Sequence, residues 1–273
     1  NHVKPTPKLT SDLTLLQGMI RGIMARSAPL TVKHMVLDGH FGNYPATYAV
    51  CETGLHIISK MRHDAALYLP YTGPITRRGP TPRYGKKLNY NQLPSDALCH
   101  AVIEDDYRID TYQMQVFHKS FSEALNVVVV VKTHLETGKR GHVVLFSTDL
   151  DLTADQIVNY YSLRFQIEFH FRDGKQYWGL DDFMNVKPVA VTNAVNLAFL
   201  MVSLSAVMLK PYRDDQPDFS VLDLKAQFRA RRYLDETIKM LPDPPADDLI
   251  SRIWRRLSAF SGIRVRQLDR FAA

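Results

Sequence analysis

The chain has 273 residues, 45% of them apolar, enough for one large or two modest domains with a sizeable core, and this excludes wholesale disorder. A net charge of +6 and a pI near 9.2 suit a nucleic-acid partner. Cys51 and Cys99 stand at neither zinc nor redox spacing, and a reducing cytoplasm is the simplest setting. The opening NHVKPTPKLT carries no signal-peptide pattern, and a start at Asn1 rather than methionine reads as a trimmed piece of a longer protein.

In chain order, DLTLLQGMIRGIMAR places Leu13, Leu16, Ile20, Ile23 and Met24 at helical spacing over 12–26, capped by Ser11 or Asp12 and stopped by Pro29. TVKHMVLD, 31–38, is a short β-rich run ending in an acid. YPATYAVC predicts a helix over 45–53, stopped by Gly54, and LHIISKM, 55–61, a second buried strand. Strand, helix, strand is the βαβ order of an α/β sheet. Residues 62–100 are rich in proline and glycine, hence turn-rich and mostly extended. YRIDTYQMQVFH, ALNVVVVVKTHL and GHVVLFSTDL read as strands, the last two forming a hairpin around Glu136–Gly141.

Thr153 and Gln156 form a capping-box pattern that opens a helix. After Lys187-Pro188 the chain reads as helical to its end, with basic runs at Lys225–Arg232 and Arg252–Arg270. Residues 189–210, VAVTNAVNLAFLMVSLSAVMLK, could pass for a membrane span. Thr192, Asn193, Asn196, Ser203 and Ser205 interrupt it, so it is read as a buried helix at the heart of a helical layer.

The most informative stretch is YYSLRFQIEFHFRDGK. Tyr161, Arg164, Glu168 and Lys175 stand three, four and seven apart. On one continuous helix, at about 100° per residue, they fall within roughly a 60° arc. Val158, Phe165 and Phe169 would form one apolar stripe, and Leu163, Ile167 and Phe171 another, so the helix is expected to pack on two sides. On spacing alone the polar stripe is equally a solvated face with an Arg164–Glu168 ion pair.

The order Tyr-x2-Arg-x3-Glu-x6-Lys resembles the signature of the DDE insertion-sequence transposases, and the flanking FSTDLDLTADQIVNYY and QYWGLDDF resemble the same family. MVLDGHFGN resembles its strand-borne second aspartate, here Asp38, and RRGPTPRYGKKL resembles the basic stretch inside its insertion domain. The resemblance implies an α/β, RNase H-like fold, partial because its first strands are missing, with a β-rich insertion and a C-terminal helical region. The implied division is 1–62 for the later half of the core, 63–153 for the insertion, 154–186 for the signature helix and 187–273 for the helical tail.

It also implies that Asp38 and Glu168 hold metal, Mg²⁺ or Mn²⁺, two ions per site in the complete protein. Tyr161, Arg164 and Lys175 would position DNA. A lone Asp-Gly is ordinarily a turn or capping aspartate; what changes the reading is the acid downstream. The implied reaction is cleavage of transposon ends and strand transfer into target DNA, with a homodimer in the DNA complex and a cytoplasmic, nucleoid-associated, bacterial setting.

Flexible basic arms commonly track DNA, so Arg62, Arg77, Arg78, Arg83, Lys86 and Lys87 are candidate phosphate contacts. The family's catalysis needs a third carboxylate upstream of the second aspartate. The sole acid before Asp38 is Asp12, at a helix start, so the first catalytic aspartate is expected to be missing from this chain. Trp178 and Trp254 lie outside the insertion, where an aromatic wedge would hold a flipped base in hairpin-forming relatives. The rival reading is a non-catalytic DNA-binding module derived from a decayed or repurposed transposase.

Overall fold

The computed structural model describes residues 4–26, 31–74, 82–184, 186–243 and 245–260. The chain divides into two compact units, Asn1–Phe165 and Gln166–Ala273.

The first unit is built on one eight-stranded sheet. Helix α1 (Ser11–Arg26) precedes β1 (His34–Val36), α2 (Tyr44–Cys51) and β2 (His56–Met61), with β1 and β2 parallel, as the βαβ reading requires. The helix start differs from expectation: Thr10, not Ser11 or Asp12, offers its hydroxyl to the Leu13 N–H at 3.4 Å. Asn43 caps α2 through Ala46, and Gly54, at φ +82°, makes the left-handed turn into β2.

Six further strands follow: β3 (Leu67–Pro70), β4 (Tyr84–Lys87), β5 (Leu98–Glu104), β6 (Tyr107–His118), β7 (Leu125–His134) and β8 (Arg140–Ser147). The sheet order is β1-β2-β8-β7-β6-β3-β4, with β5 paired to β6. Strand β8 pairs antiparallel with β2, so the β-rich segment continues the sheet begun by the βαβ unit. The expected β7–β8 hairpin is present, with Gly138 at φ +63° in its turn. Strand β5 carries no alternating pattern, and all seven of its residues are exposed.

The valine run of β7 explains the layering. Val127, Val129 and Val131 face a cluster with Ile20 of α1, Val50 of α2 and Phe146. Val128 and Val130 face the opposite cluster, with Ile58, Leu145 and Ile157 of helix α3 (Ala154–Ser162). A strand buried on both faces reads as an unbroken apolar run, because its period-2 alternation serves two cores. Each fully buried valine or isoleucine contributes about 1.5–3 kcal/mol of burial free energy.

The second unit is helical: α4 (Gln166–Trp178), α5 (Pro188–Asp215), α6 (Val221–Lys239) and α7 (Asp247–Phe260). Leu209, Phe219, Val221 and Leu224 form its buried cluster, with Tyr177, Trp178 and Met208 against it. Ser220 and Asp223 close a capping box at the start of α6. The expectation that α5 is a buried core helix is not met. Only 17% of its most apolar window is buried, and it is long and apolar enough to cross a membrane. Its buried residues are confined to one stripe, Ala198, Val202, Ser205 and Leu209.

Candidate active site

Asp38 lies just beyond β1, where the parallel ladder with β2 ends at the Val36–Ile58 pair. Its backbone is held by the buried Ser59 of β2, whose hydroxyl donates to the Asp38 carbonyl at 2.9 Å. Its carboxylate caps a 3-10 turn, Gly39–Phe41, accepting the Gly39 N–H at 2.6 Å. The turn lies tightly on β2: a Cβ at Gly42 would collide with the Lys60 carbonyl oxygen. The capping role that a lone Asp-Gly suggests is therefore real, yet it uses only one carboxylate oxygen.

The other oxygen faces Arg164, whose Nη1 is 3.7 Å from Asp38 Oδ2. The Arg164 side chain is only 19% exposed, and its guanidinium lies over the Phe165 ring at 4.7 Å. Tyr161 completes this group. Burial pushes its phenol above the usual tyrosine range; Arg164, which also hydrogen-bonds it, draws it down, and Asp38 raises it. Asp38 thus shares one corner of the first unit with Tyr161 and Arg164, which lie far downstream in sequence.

Tyr161, Arg164, Glu168 and Lys175 do not lie on one continuous helix. Helix α3 ends at Ser162, a 3-10 turn covers Leu163–Phe165, and α4 begins at Gln166. The reason is local. The Asn159 carbonyl, which an α-helical Leu163 N–H would use, takes the Ser162 hydroxyl at 2.6 Å. The Leu163 N–H bonds instead to Tyr160 and Tyr161. Tyr161 therefore stands on α3, Arg164 on the turn, and Glu168 and Lys175 on α4, so the single-arc geometry fails.

The two expected apolar stripes also fail. Val158 packs under the sheet, whereas Leu163, Phe165, Ile167, Phe169 and Phe171 are exposed.

In the second unit, Glu168 stands exposed in the first turn of α4, and the Lys175 ammonium pairs with Asp181 at 2.9 Å. Gly174 lets the chain fold back closely, since a Cβ there would sit 3.2 Å from Leu180 Cδ2.

The basic candidates are in different states. Arg62 is engaged bidentately by Asp64, at 3.1 and 3.2 Å. Arg83 lies over Phe117 at 4.3 Å, with Glu123 at 4.0 Å. Lys86 and Lys87 are exposed on β4. Arg77 and Arg78 lie outside the described residues. Ser59, which fixes Asp38, was not singled out by the sequence; its signal is a lone polar residue amid the buried run of β2.

Asp38 and Glu168 are the hard-oxygen groups that suit a divalent cation. The donor set within this chain is short, since the described residues contain no cluster of three or more metal-ligating side chains.

The sequence pattern of the family described as "Transposase DDE domain" matches residues 1–204 of the 273. With that match over most of its length, the chain belongs to the DDE-domain transposases, whose substrates are nucleic acids, DNA in particular. No curated protein matches the chain significantly.

Proposed function

We propose that this chain carries part of the catalytic core of an insertion-sequence transposase that cleaves transposon ends and joins them to target DNA. The observation that carries the proposal is the meeting of Asp38, Arg164 and Tyr161 at one strand end, with Arg164 Nη1 3.7 Å from the carboxylate. A structural aspartate in a turn has no need of a half-buried guanidinium beside it. A phosphate-binding site does, because a planar guanidinium held 3.7 Å from a carboxylate can turn its fork to a phosphate when DNA arrives.

The β1-α2-β2 unit reads as the later half of an RNase H-like core, and residues 63–153 as its insertion. Asp38 and Glu168 would hold Mg²⁺ or Mn²⁺ together with a third carboxylate, for which Asp12, in the first turn of α1, is poorly suited. The ion supplies activation of a water or 3′-hydroxyl and charge neutralisation at phosphorus. The chain's own residues do the positioning. Ser59 and Gly42 fix the carboxylate at the strand end, Arg164 exchanges that carboxylate for a phosphate oxygen, and Tyr161 offers a protonated hydroxyl to the same strand. Lys175 gives up an exposed ion pair with Asp181 to add a point charge.

The test is Mn²⁺-dependent cleavage of a labelled transposon-end duplex by the protein with its upstream sequence included. Asp38→Ala and Glu168→Ala should each abolish cleavage while leaving duplex binding within a few-fold. Cleavage absent from the unaltered protein, with binding retained, would favour the non-catalytic DNA-binding module.

A further inference from the structure

The basic run Lys225–Arg232 has no part in the reading above, and within the second unit it borders a cavity of about 590 Å³ between α5 and α6. A concave, mainly apolar space of that size suits a small-molecule ligand. Its apolar lining comes from Met201, Leu204 and Met208 of α5, Leu224 and Phe228 of α6, and Trp178 at the end of α4. Leu224 is buried and the two methionines are half-buried, so they line the inner side. Unbranched methionine adapts its shape to a flexible occupant.

Lys225, Arg229 and Arg232 line the same cavity, four and three apart on one face of α6. Among the described residues that line it there is no carboxylate. Arg229 and Arg232 are exposed and enter no ion pair among the described residues; Glu236, one turn on, is taken by Lys239 at 2.9 Å. Lys225 lies over the Trp178 ring at 4.9 Å and donates to the Tyr177 carbonyl at 2.8 Å, contacts that leave its charge unneutralised. The Trp178 indole N–H is buried with no acceptor, a costly state for a donor. A head group drawn to the Lys225 ammonium would bring an oxygen beside it.

Three cations around an apolar cavity call for an anion with an apolar body. That body is aliphatic rather than a nucleobase for two reasons. A base needs an open aromatic face to stack on, and Lys225 occupies a face of Trp178. A base also needs polar groups at its edges, and the Ser205 hydroxyl in the lining is spent on the Val202 carbonyl at 2.9 Å.

We infer that the cavity between α5 and α6 binds a single-chain amphiphilic carboxylate of the fatty-acid kind, its chain on Met201, Met208 and Leu224 and its head among Lys225, Arg229 and Arg232. The site needs neither DNA nor metal, so it stands or falls apart from the proposed catalysis.

The experiment titrates dodecanoate, below its micelle concentration, into the whole 273-residue chain carrying Trp254→Phe, which leaves Trp178 as the sole tryptophan. The emission of Trp178 should shift and saturate as for a single site, and calorimetric titration of the unaltered chain should give the same affinity. From octanoate to decanoate to dodecanoate, affinity should rise about tenfold for each two methylenes buried. Arg229→Glu with Arg232→Glu, both at exposed positions, should weaken dodecanoate binding by about tenfold or more while the circular dichroism stays unchanged. Dodecyltrimethylammonium, the same chain length with a cationic head, should bind about tenfold or more below dodecanoate.

No saturable binding of dodecanoate, binding indifferent to the arginine changes, or equal binding of the cationic amphiphile would each overturn the inference. An emission shift produced by oligothymidylate but not by dodecanoate would overturn it in favour of a nucleotide site. A shift produced only by phosphatidylglycerol vesicles would overturn it in favour of a bilayer surface.

Discussion

Gly42 shows how a single atom can govern the site. The turn that Asp38 caps lies against β2 so closely that no Cβ fits beside the Lys60 carbonyl, and a backbone atom cannot rotate away. Gly42→Ala should cost about 2 kcal/mol, the ordinary penalty for overpacking, and should displace the aspartate. A lowered urea midpoint at unchanged slope, with duplex cleavage falling further than stability alone explains, is the expected result.

Tyr90 offers a residue-scale test by pH. Burial, with a smaller push from Asp64, raises its phenol from the ordinary 10 to about 12, and its hydroxyl donates to the Ala65 carbonyl at 2.7 Å. A raised folded pKa means the proton is held more tightly in the folded state. The contribution is therefore intact below pH 10 and lost as pH rises through about 12. Stability measured across that window should fall more steeply for the unaltered chain than for Tyr90→Phe.

Among the elements, the α3–turn–α4 segment is the most consequential. Its start is fixed by the Thr153–Gln156 capping box, with the Gln156 N–H on the Thr153 hydroxyl at 3.3 Å and the Thr153 N–H on the Gln156 amide oxygen at 3.0 Å. Thr153→Ala should cost about 1 kcal/mol and Thr153→Ser almost nothing, measured by chemical denaturation. That cap was legible in the sequence, because it depends on residues three apart. The break at Ser162 was not. It arises from one hydroxyl outcompeting one amide for the Asn159 carbonyl, and serine inside a helix is usually neutral.

The same limit applies to β7 and α5. Five valines in a row mark a strand, but which two helical layers cover it is decided by distant segments. An apolar run of helical length marks α5, yet whether it is core or surface depends on what packs against it.

For the whole molecule, family membership implies DNA, and the charge balance says how DNA is approached. Arg62 and Lys175 are already engaged by Asp64 and Asp181, so their net contribution to a polyanion is reduced by the partner each must release. Lys86 and Lys87 have no such partner among the described residues. Plotted as log affinity against log salt, duplex binding should lose about 0.9 from its slope for each phosphate contact removed by Lys86→Ala or Lys87→Ala. Arg62→Ala should change the slope less. Filter binding at several salt concentrations distinguishes the two, and equal slopes for all three variants would contradict the assignment.

What the sequence determined by itself is whatever depends on near neighbours or on a fixed order of residue types. The helix of α1, the βαβ unit, the β7–β8 hairpin and the Thr153 cap are all of this kind, because backbone periodicity, capping and turn chemistry act over a few residues. What only the tertiary structure decided depends on contacts across the chain. Arg164 reaches Asp38 across the intervening strands β2 to β8; Ser59 and Gly42 fix that aspartate; and α5 keeps Leu197, Leu200, Leu204 and Val207 in solvent. Side-chain pairing and burial are properties of surfaces brought together by folding, and a linear pattern records which residues can form them without recording which ones meet.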